Sequence, residues 1–168
     1  MKPPVPEFSR PLPVDRIPRE GCEEHIAAEA HECVALAKRL GIPAVHSVRA
    51  DLRAEPWRGG GIKLTGTVAS DLDQVSVVSL NPFRHRVEYP VTRFFLPEAV
   101  AVVEEESEAD PIVAGHIDLG EIAAETLALE LDPYPRQDGE AFEAHIEADD
   151  AEPGKQSPFA ALAKRPPP

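Results

Sequence analysis

Alternation dominates the middle of the chain. Ile62, Leu64, Val68 and Leu72 fall on one face of an extended segment, and Lys63, Thr65, Thr67 and Asp71 on the other. That is the period of a half-buried strand. Over residues 44–54, Ala44, Val48, Ala50 and Leu52 oppose Arg49, Asp51 and Arg53 in the same way. Over residues 83–96, Phe83, Val87, Tyr89 and Val91 share a face. Pro90 in that last run has no N–H to give a ladder, which predicts an edge position or an irregularity. Residues 75–80 form a further short β-prone run, and Asn81-Pro82 marks a turn after it. Trp57-Arg58-Gly59-Gly60-Gly61 is a loop between two strand patterns; no helix follows it, so a hairpin turn is favoured over an anion cradle.

Two stretches carry a helical period instead. In residues 29–40, Ala30, Cys33, Val34, Ala37 and Leu40 form an apolar stripe, which Gly41 and Pro43 stop. In residues 118–136, DLGEIAAETLALELDPYPR, Asp118 is a good N-cap, and Glu121 has the spacing of a reciprocal capping box. Leu119, Ile122, Ala123 and Leu127 recur at helical spacing, with Glu121 and Glu125 on another, exposed face. Pro133 and Pro135 end this helix. One or two short strands are expected in residues 14–28 around Arg19-Glu20-Gly21, a loop or weak helix in the acidic residues 97–110, and a short extended piece in residues 110–113.

Together these elements predict an α+β fold: a mostly antiparallel sheet of about four to six strands with two main helices packed on it. The 168 residues suit one domain. It is drawn at residues 14–136, with residues 1–13 as a Pro-rich N-terminal arm. Residues 137–168 are expected to form a tail, acidic then basic, disordered to about residue 157 and carrying a small apolar island, SPFAALA, that could dock on the domain or on a partner. No apolar run reaches the ~18 residues of a membrane span, and MKPPVPEFSRPLP has no apolar signal core. Two cysteines, Cys22 and Cys33, are too few for a disulfide framework. A soluble, cytoplasmic protein is expected, with a monomer favoured.

Charge is unevenly spread. Residues 1–96 carry 13 Lys and Arg against 12 Asp and Glu, whereas residues 97–153 carry one against 18; the whole chain has a formal net charge of −13. The acidic half repels a phosphate backbone and suits a basic partner, although such runs are most often simply solvated.

The search for chemistry finds no nucleotide-binding, zinc-protease or nucleophile-elbow motif. His25, His31 and Cys33 could be taken for zinc ligands, but His31 and Cys33 point to different helix faces and a structural site normally needs four ligands. The other histidines are scattered. Glu104-Glu105-Glu106 and Asp149-Asp150 could hold Mg2+ for a nuclease only if rigid, and they fall in expected flexible segments. Neither an enzyme nor a bound cofactor is expected.

Three motifs carry a resemblance. HIDLGEIAAETLALELDPYPR from His116, Leu80-Asn81-Pro82-Phe83 and Ser157-PFAALA, in this order and spacing, resemble the bacterial YceD family, in the form of its alphaproteobacterial branch. The likeness runs over roughly residues 14–164. It implies a part in accumulation of large-subunit ribosomal RNA, hence in ribosome biogenesis. Many members of that family carry C-x-x-C just before the turn, suggestive of a metal knuckle. Here Ser76 and Ser79 occupy those positions, and a hydroxyl is a poor zinc ligand beside a thiolate; no stoichiometric zinc is expected.

Two contact modes follow from that implication. Ribosomal RNA could lie on the polar face of the sheet, against Arg49, Arg53, Lys63, Arg84 and Arg86, with Trp57 and Arg58 on an adjacent loop to stack a base. Alternatively, the protein is an acidic adaptor for a basic ribosomal protein or assembly factor, with Glu121 and Glu125 on the contact surface. Asp51, Asp71, Asp73 and Glu88 balance the basic set and make an ordinary solvated face the simplest reading of it.

Overall fold

The computed structural model describes residues 6–98 and 109–141. Its framework is a five-stranded sheet in the order β2-β3-β4-β5-β6, built from β2 (Cys22–Ala27), β3 (Ala44–Trp57), β4 (Gly61–Val75), β5 (Pro82–Pro97) and β6 (Ala109–Ile112). All pairings are antiparallel except β5 with β6. A second, two-stranded ribbon pairs β1 (Pro11–Pro13) with β7 (His116–Asp118). Helices α1 (Ala30–Leu40) and α2 (Leu119–Glu130) supply the other side of the core. The α+β architecture expected from the sequence is therefore the one found.

The long hairpins follow from strict alternation. Val48, Ala50, Leu52 and Ala54 of β3, Ile62, Leu64, Val68 and Leu72 of β4, and Val91 and Phe95 of β5 are all buried on one sheet face. Against them pack Leu36 and Ala37 of α1, and Leu119, Ile122, Ala123 and Leu127 of α2. Pro90 sits as predicted. It pairs with Thr67 on one side, and β6 reaches only residues 94–97 on the other, so Pro90 lies where β5 has no described neighbour on that side.

Several expectations change. Residues 75–80 are not a strand: Val75 ends β4, residues 77–79 form the turn, and β5 starts at Pro82. Ser76 and Asn81 hydrogen-bond across this turn, and the Leu80 N–H donates to the Ser76 carbonyl, which closes it locally. In β3 a register shift between Val45 and Ser47 reverses the alternation, so Val45 is buried where Ala44 was predicted. The apolar stripe of α1 is rotated, with Leu36 fully buried and Val34 72% exposed. Its polar neighbour Glu32 is drawn inward by Arg10.

Residues 1–13 are not a free arm over their second half. Phe8 is fully buried. Asp118 caps α2 as predicted, accepting the N–H groups of Gly120 and Glu121 at 3.1 and 3.2 Å. The same carboxylate also accepts from the Arg10 N–H at 2.7 Å and the Ser9 hydroxyl at 2.5 Å. Gly120 makes this approach possible, because a Cβ there would lie 2.6 Å from the Phe8 carbonyl oxygen. The reciprocal half of the predicted capping box is absent at α2: Glu121 faces Arg39 of α1 instead. It is Glu32 of α1 that reaches back, accepting the Glu29 N–H at 2.7 Å.

Glu32 also joins this arm to α1. Arg10 grips it with two bonds of 2.8 and 2.9 Å. Those bonds, then the Glu29 N–H, hold the Glu32 carboxyl below the ordinary carboxylate range against the opposing effect of burial. A lowered folded-state pKa contributes stability that is complete above the unfolded value and is lost as pH falls through the folded one. Glu32→Gln is accordingly expected to cost ~1–2 kcal/mol in urea melts at neutral pH, the scale of charged hydrogen bonds. That gap should close in acid, below about pH 4; a gap independent of pH contradicts the assignment.

The acidic run Glu104–Glu106, the pair Asp149-Asp150 and the SPFAALA island all lie outside the described residues, as does most of the expected loop or weak helix at 97–110.

Candidate functional site

The two faces of the sheet differ. One is sealed by the helices. On the other, the strand registers bring the predicted basic residues together in rows. Arg53 lies between Glu23 and Thr65; Arg49 between Ala27 and Ala69; Asp71 faces Arg86, and Asp73 faces Arg84. Lys63 lies between Glu55 and Phe94. Thus Arg49, Arg53, Lys63, Arg84 and Arg86 do share one face, as alternation predicted.

They share it with carboxylates. Arg84 makes a two-pronged ion pair with Asp71 at 2.8 and 2.6 Å, and that guanidinium is the main cause holding the Asp71 carboxyl below its ordinary range. Arg86 is 3.9 Å from the same carboxylate and is largely solvent-exposed. Arg53 is held by Glu55 at 2.9 Å, by the Glu20 carbonyl at 2.8 Å and by Glu23 at 3.5 Å. His25 pairs with Asp51 at 2.6 Å, which raises its pKa. His46 pairs with Asp73 at 2.9 Å. The face is a checkerboard of opposite charges, not a basic patch. Solvent-exposed cross-strand pairs of this kind support a sheet only weakly.

One end of the face is aromatic. The rings of Trp57, which closes β3, and Phe94 of β5 lie 4.7 Å apart at 41°, and the Arg58 guanidinium sits 4.6 Å over the indole. Lys63 is paired in register with Phe94. Phe94 is absent from the residues picked by sequence, yet it occupies the polar parity of β5 together with Arg84 and Arg86, which is the signal that could have found it.

The acidic contact candidates are not free. Glu121 is clasped by Arg39 at 2.8 and 2.6 Å, joining the two helices. Glu125 lies 3.4 Å from Arg93, whose guanidinium also holds Asp110 at 2.6 and 2.9 Å. Both carboxylates read as exposed in sequence because their partners are distant in the chain.

The three suspected zinc ligands are dispersed: His25 faces Asp51 on the open sheet face, His31 is exposed and 3.4 Å from Glu29, and Cys33 is in the core. Burial pushes the Cys33 thiol up, which disfavours the nucleophilic thiolate. Among the described residues no three His, Cys, Asp or Glu side chains converge on a point. The serines at the knuckle positions have other work. Ser76 is fully buried, and its hydroxyl accepts the N–H groups of Val78 and Ser79 at 3.1 and 3.3 Å and bonds the Glu140 carboxylate. Hydrogen bonds close the turn here, so its donor set does not fit a metal knuckle.

The segment after α2 docks beside this turn. The Val77 N–H donates to the Pro135 carbonyl at 2.9 Å, and the Gln74 side-chain amide donates to the Asp132 carbonyl at 3.1 Å. Between this segment, the end of α1 and the end of β4 lies a groove of about 440 Å3.

No helix among the described residues is long and apolar enough to cross a membrane. A sequence model of the family described as "Large ribosomal RNA subunit accumulation protein YceD" matches residues 64–164. No curated protein and no solved structure matches the chain.

Proposed function

The chain belongs to the YceD family of large ribosomal RNA subunit accumulation proteins, and on that premise we propose that it supports this accumulation as a non-enzymatic adaptor that holds a basic ribosomal protein or assembly factor. The observation that carries the choice of partner is the neutral sheet face. Glu23, Glu55, Asp71 and Asp73 stand in register beside Arg53, Lys63, Arg86 and Arg84, and Arg84 and Arg53 are already engaged by Asp71 and by Glu55 and Glu23. RNA binding draws its affinity from cations that neutralise phosphates and release counterions. A face without net positive charge, on a chain of net charge −13, offers little of that term. The same charge attracts a basic protein and speeds its encounter.

A second reading rests on the aromatic end. Trp57 and Phe94, flanked by Arg58 and Lys63, have the composition of a base-stacking platform.

Complementation separates the two. Deleting the protein is expected to lower mature large-subunit RNA. Arg49→Thr, Lys63→Thr, Arg86→Thr and Phe94→Thr together keep strand-compatible side chains and remove three charges and one ring of the platform. The adaptor reading predicts that this fourfold variant restores large-subunit RNA to the wild-type level. A variant that folds like wild type but behaves like the deletion transfers the function to the sheet face. Unchanged RNA levels in the deletion strain, at several temperatures, contradict both readings.

A further inference from the structure

One long edge of the sheet is unpaired among the described residues. β5 pairs with β4 over its whole length, but on its other side β6 reaches only Phe94 to Pro97. The Ser76 N–H donates to the Asn81 carbonyl just outside the first β4–β5 pair, and this fixes the alternation that follows. Phe83, His85, Val87 and Tyr89 turn their backbone groups to β4, whereas Arg84, Arg86 and Glu88 turn theirs to the unpaired edge. Pro90, with no N–H, ends that row of donors. An unpaired row of N–H and C=O groups is a template for another strand.

The chain itself supplies a strand at the right place. The Glu140 carboxylate bonds the Ser76 hydroxyl in the turn that leads into β5, so residue 142 follows beside the start of this edge. Residues 142–148 read FEAHIEA, and Phe142, Ala144, Ile146 and Ala148 alternate with Glu143, His145 and Glu147. That is the period of a half-buried strand, although by charge alone the stretch reads as acidic tail. At ~3.3 Å per residue it spans about 23 Å, the stretch of β5 from Phe83 to Tyr89, and stops short of Pro90. The two faces match as well. Val87 and Tyr89 on the inward side of β5 are partly buried against the core, and the apolar parity of residues 142–148 extends that side. On the open side, the Arg86 side chain is 88% exposed and 3.9 Å from Asp71. The register that sets Glu143 beside Arg86 also sets His145 beside Glu88. Charged side chains on an edge deter an arbitrary strand, and these suit one whose outer face is acidic.

We propose that residues 142–148 add to β5 as a further strand of the sheet, with Glu143 and Glu147 on the open face and Phe142, Ala144 and Ile146 on the core side. The strand is parallel to β5, because a chain that leaves the β4–β5 turn and follows β5 runs in the same direction. It closes the edge against other chains and sets a carboxylate beside Arg86. This pairing is independent of the adaptor reading and stands whether the partner is a protein or RNA.

The test is amide hydrogen exchange, followed by NMR on the isotope-labelled full-length chain. The amides of Arg84, Arg86 and Glu88 are expected to exchange slowly, as the Val87 amide turned to β4 does. Ala144→Pro and, separately, Ile146→Pro each remove an N–H that the added strand donates to β5. Each should speed exchange at the edge amides by about tenfold, the scale of one lost hydrogen bond. The Val87 amide should stay protected in both, which shows that the domain remains folded. Glu152→Pro, beyond the strand, should change nothing. Fast exchange of the three edge amides in the wild-type chain overturns the proposal. Slow exchange that survives both proline substitutions assigns the edge to another segment, such as residues 99–108, and overturns it. Protection that fades on dilution assigns the edge to a second copy of the chain and overturns it too, as does an equal response to Glu152→Pro.

Discussion

Gly66→Ala is expected to remove about 4 kcal/mol or more of stability, a large part of the ~5–15 kcal/mol that a domain typically has. Gly66 lies in the middle of β4 and pairs with Leu52 of β3 on one side and Val91 of β5 on the other. Its φ is +151°, and a Cβ would lie 2.1 Å from the Asp51 carbonyl oxygen and 2.8 Å from the Leu52 Cα. Both obstacles are backbone, so no rotamer change relieves them. β3 and β4 would have to part at the centre of the sheet. Urea denaturation should show a midpoint far below wild type, or no folded baseline. A midpoint within experimental scatter of wild type would show that the strands do not approach so closely.

Leu127→Ala should cost ~2–5 kcal/mol, the range for emptying a leucine site in a packed core. Leu127 is fully buried on α2. Ala123 and Ala124 beside it are small and also fully buried, so neighbouring side chains on the helix cannot swing in to fill the void. The helix is anchored at its start by Asp118 to the N-terminal segment and through Glu121 to α1, which restricts its collapse into the cavity. A neutral result would mean that Leu127 does not face the sheet.

Period and punctuation made the sheet legible. Alternation over Ile62–Leu72 and the Gly-rich turn after Trp57 located the hairpin of β3 and β4, and Asp118 with Pro133 bounded α2. Where reading failed, a long-range contact decided. Glu32 is buried with Arg10, 22 residues away, as its partner; Cys33, Leu36 and Ala37 make the stripe that faces the core, and Val34 falls outside it. Glu121 looked available because Arg39 is 82 residues away. The β-prone residues 77–80 became a turn because Ser76 and Asn81 bond locally. The sheet-face cations were found by parity, but pairing with Asp71 or Glu55 depends on strand register, which alternation does not specify across separate strands. Gln74 carried a signal that was not used: a polar residue on the apolar parity of its strand.

The most direct test of the adaptor account is affinity capture of the full-length protein from cells, with and without ribonuclease, followed by identification of the bound proteins. The account predicts one or more basic ribosomal proteins or assembly factors retained in equal yield after RNA is digested. Partners that all disappear on ribonuclease treatment, with large-subunit RNA recovered in the untreated sample, would contradict it and place RNA itself against this protein.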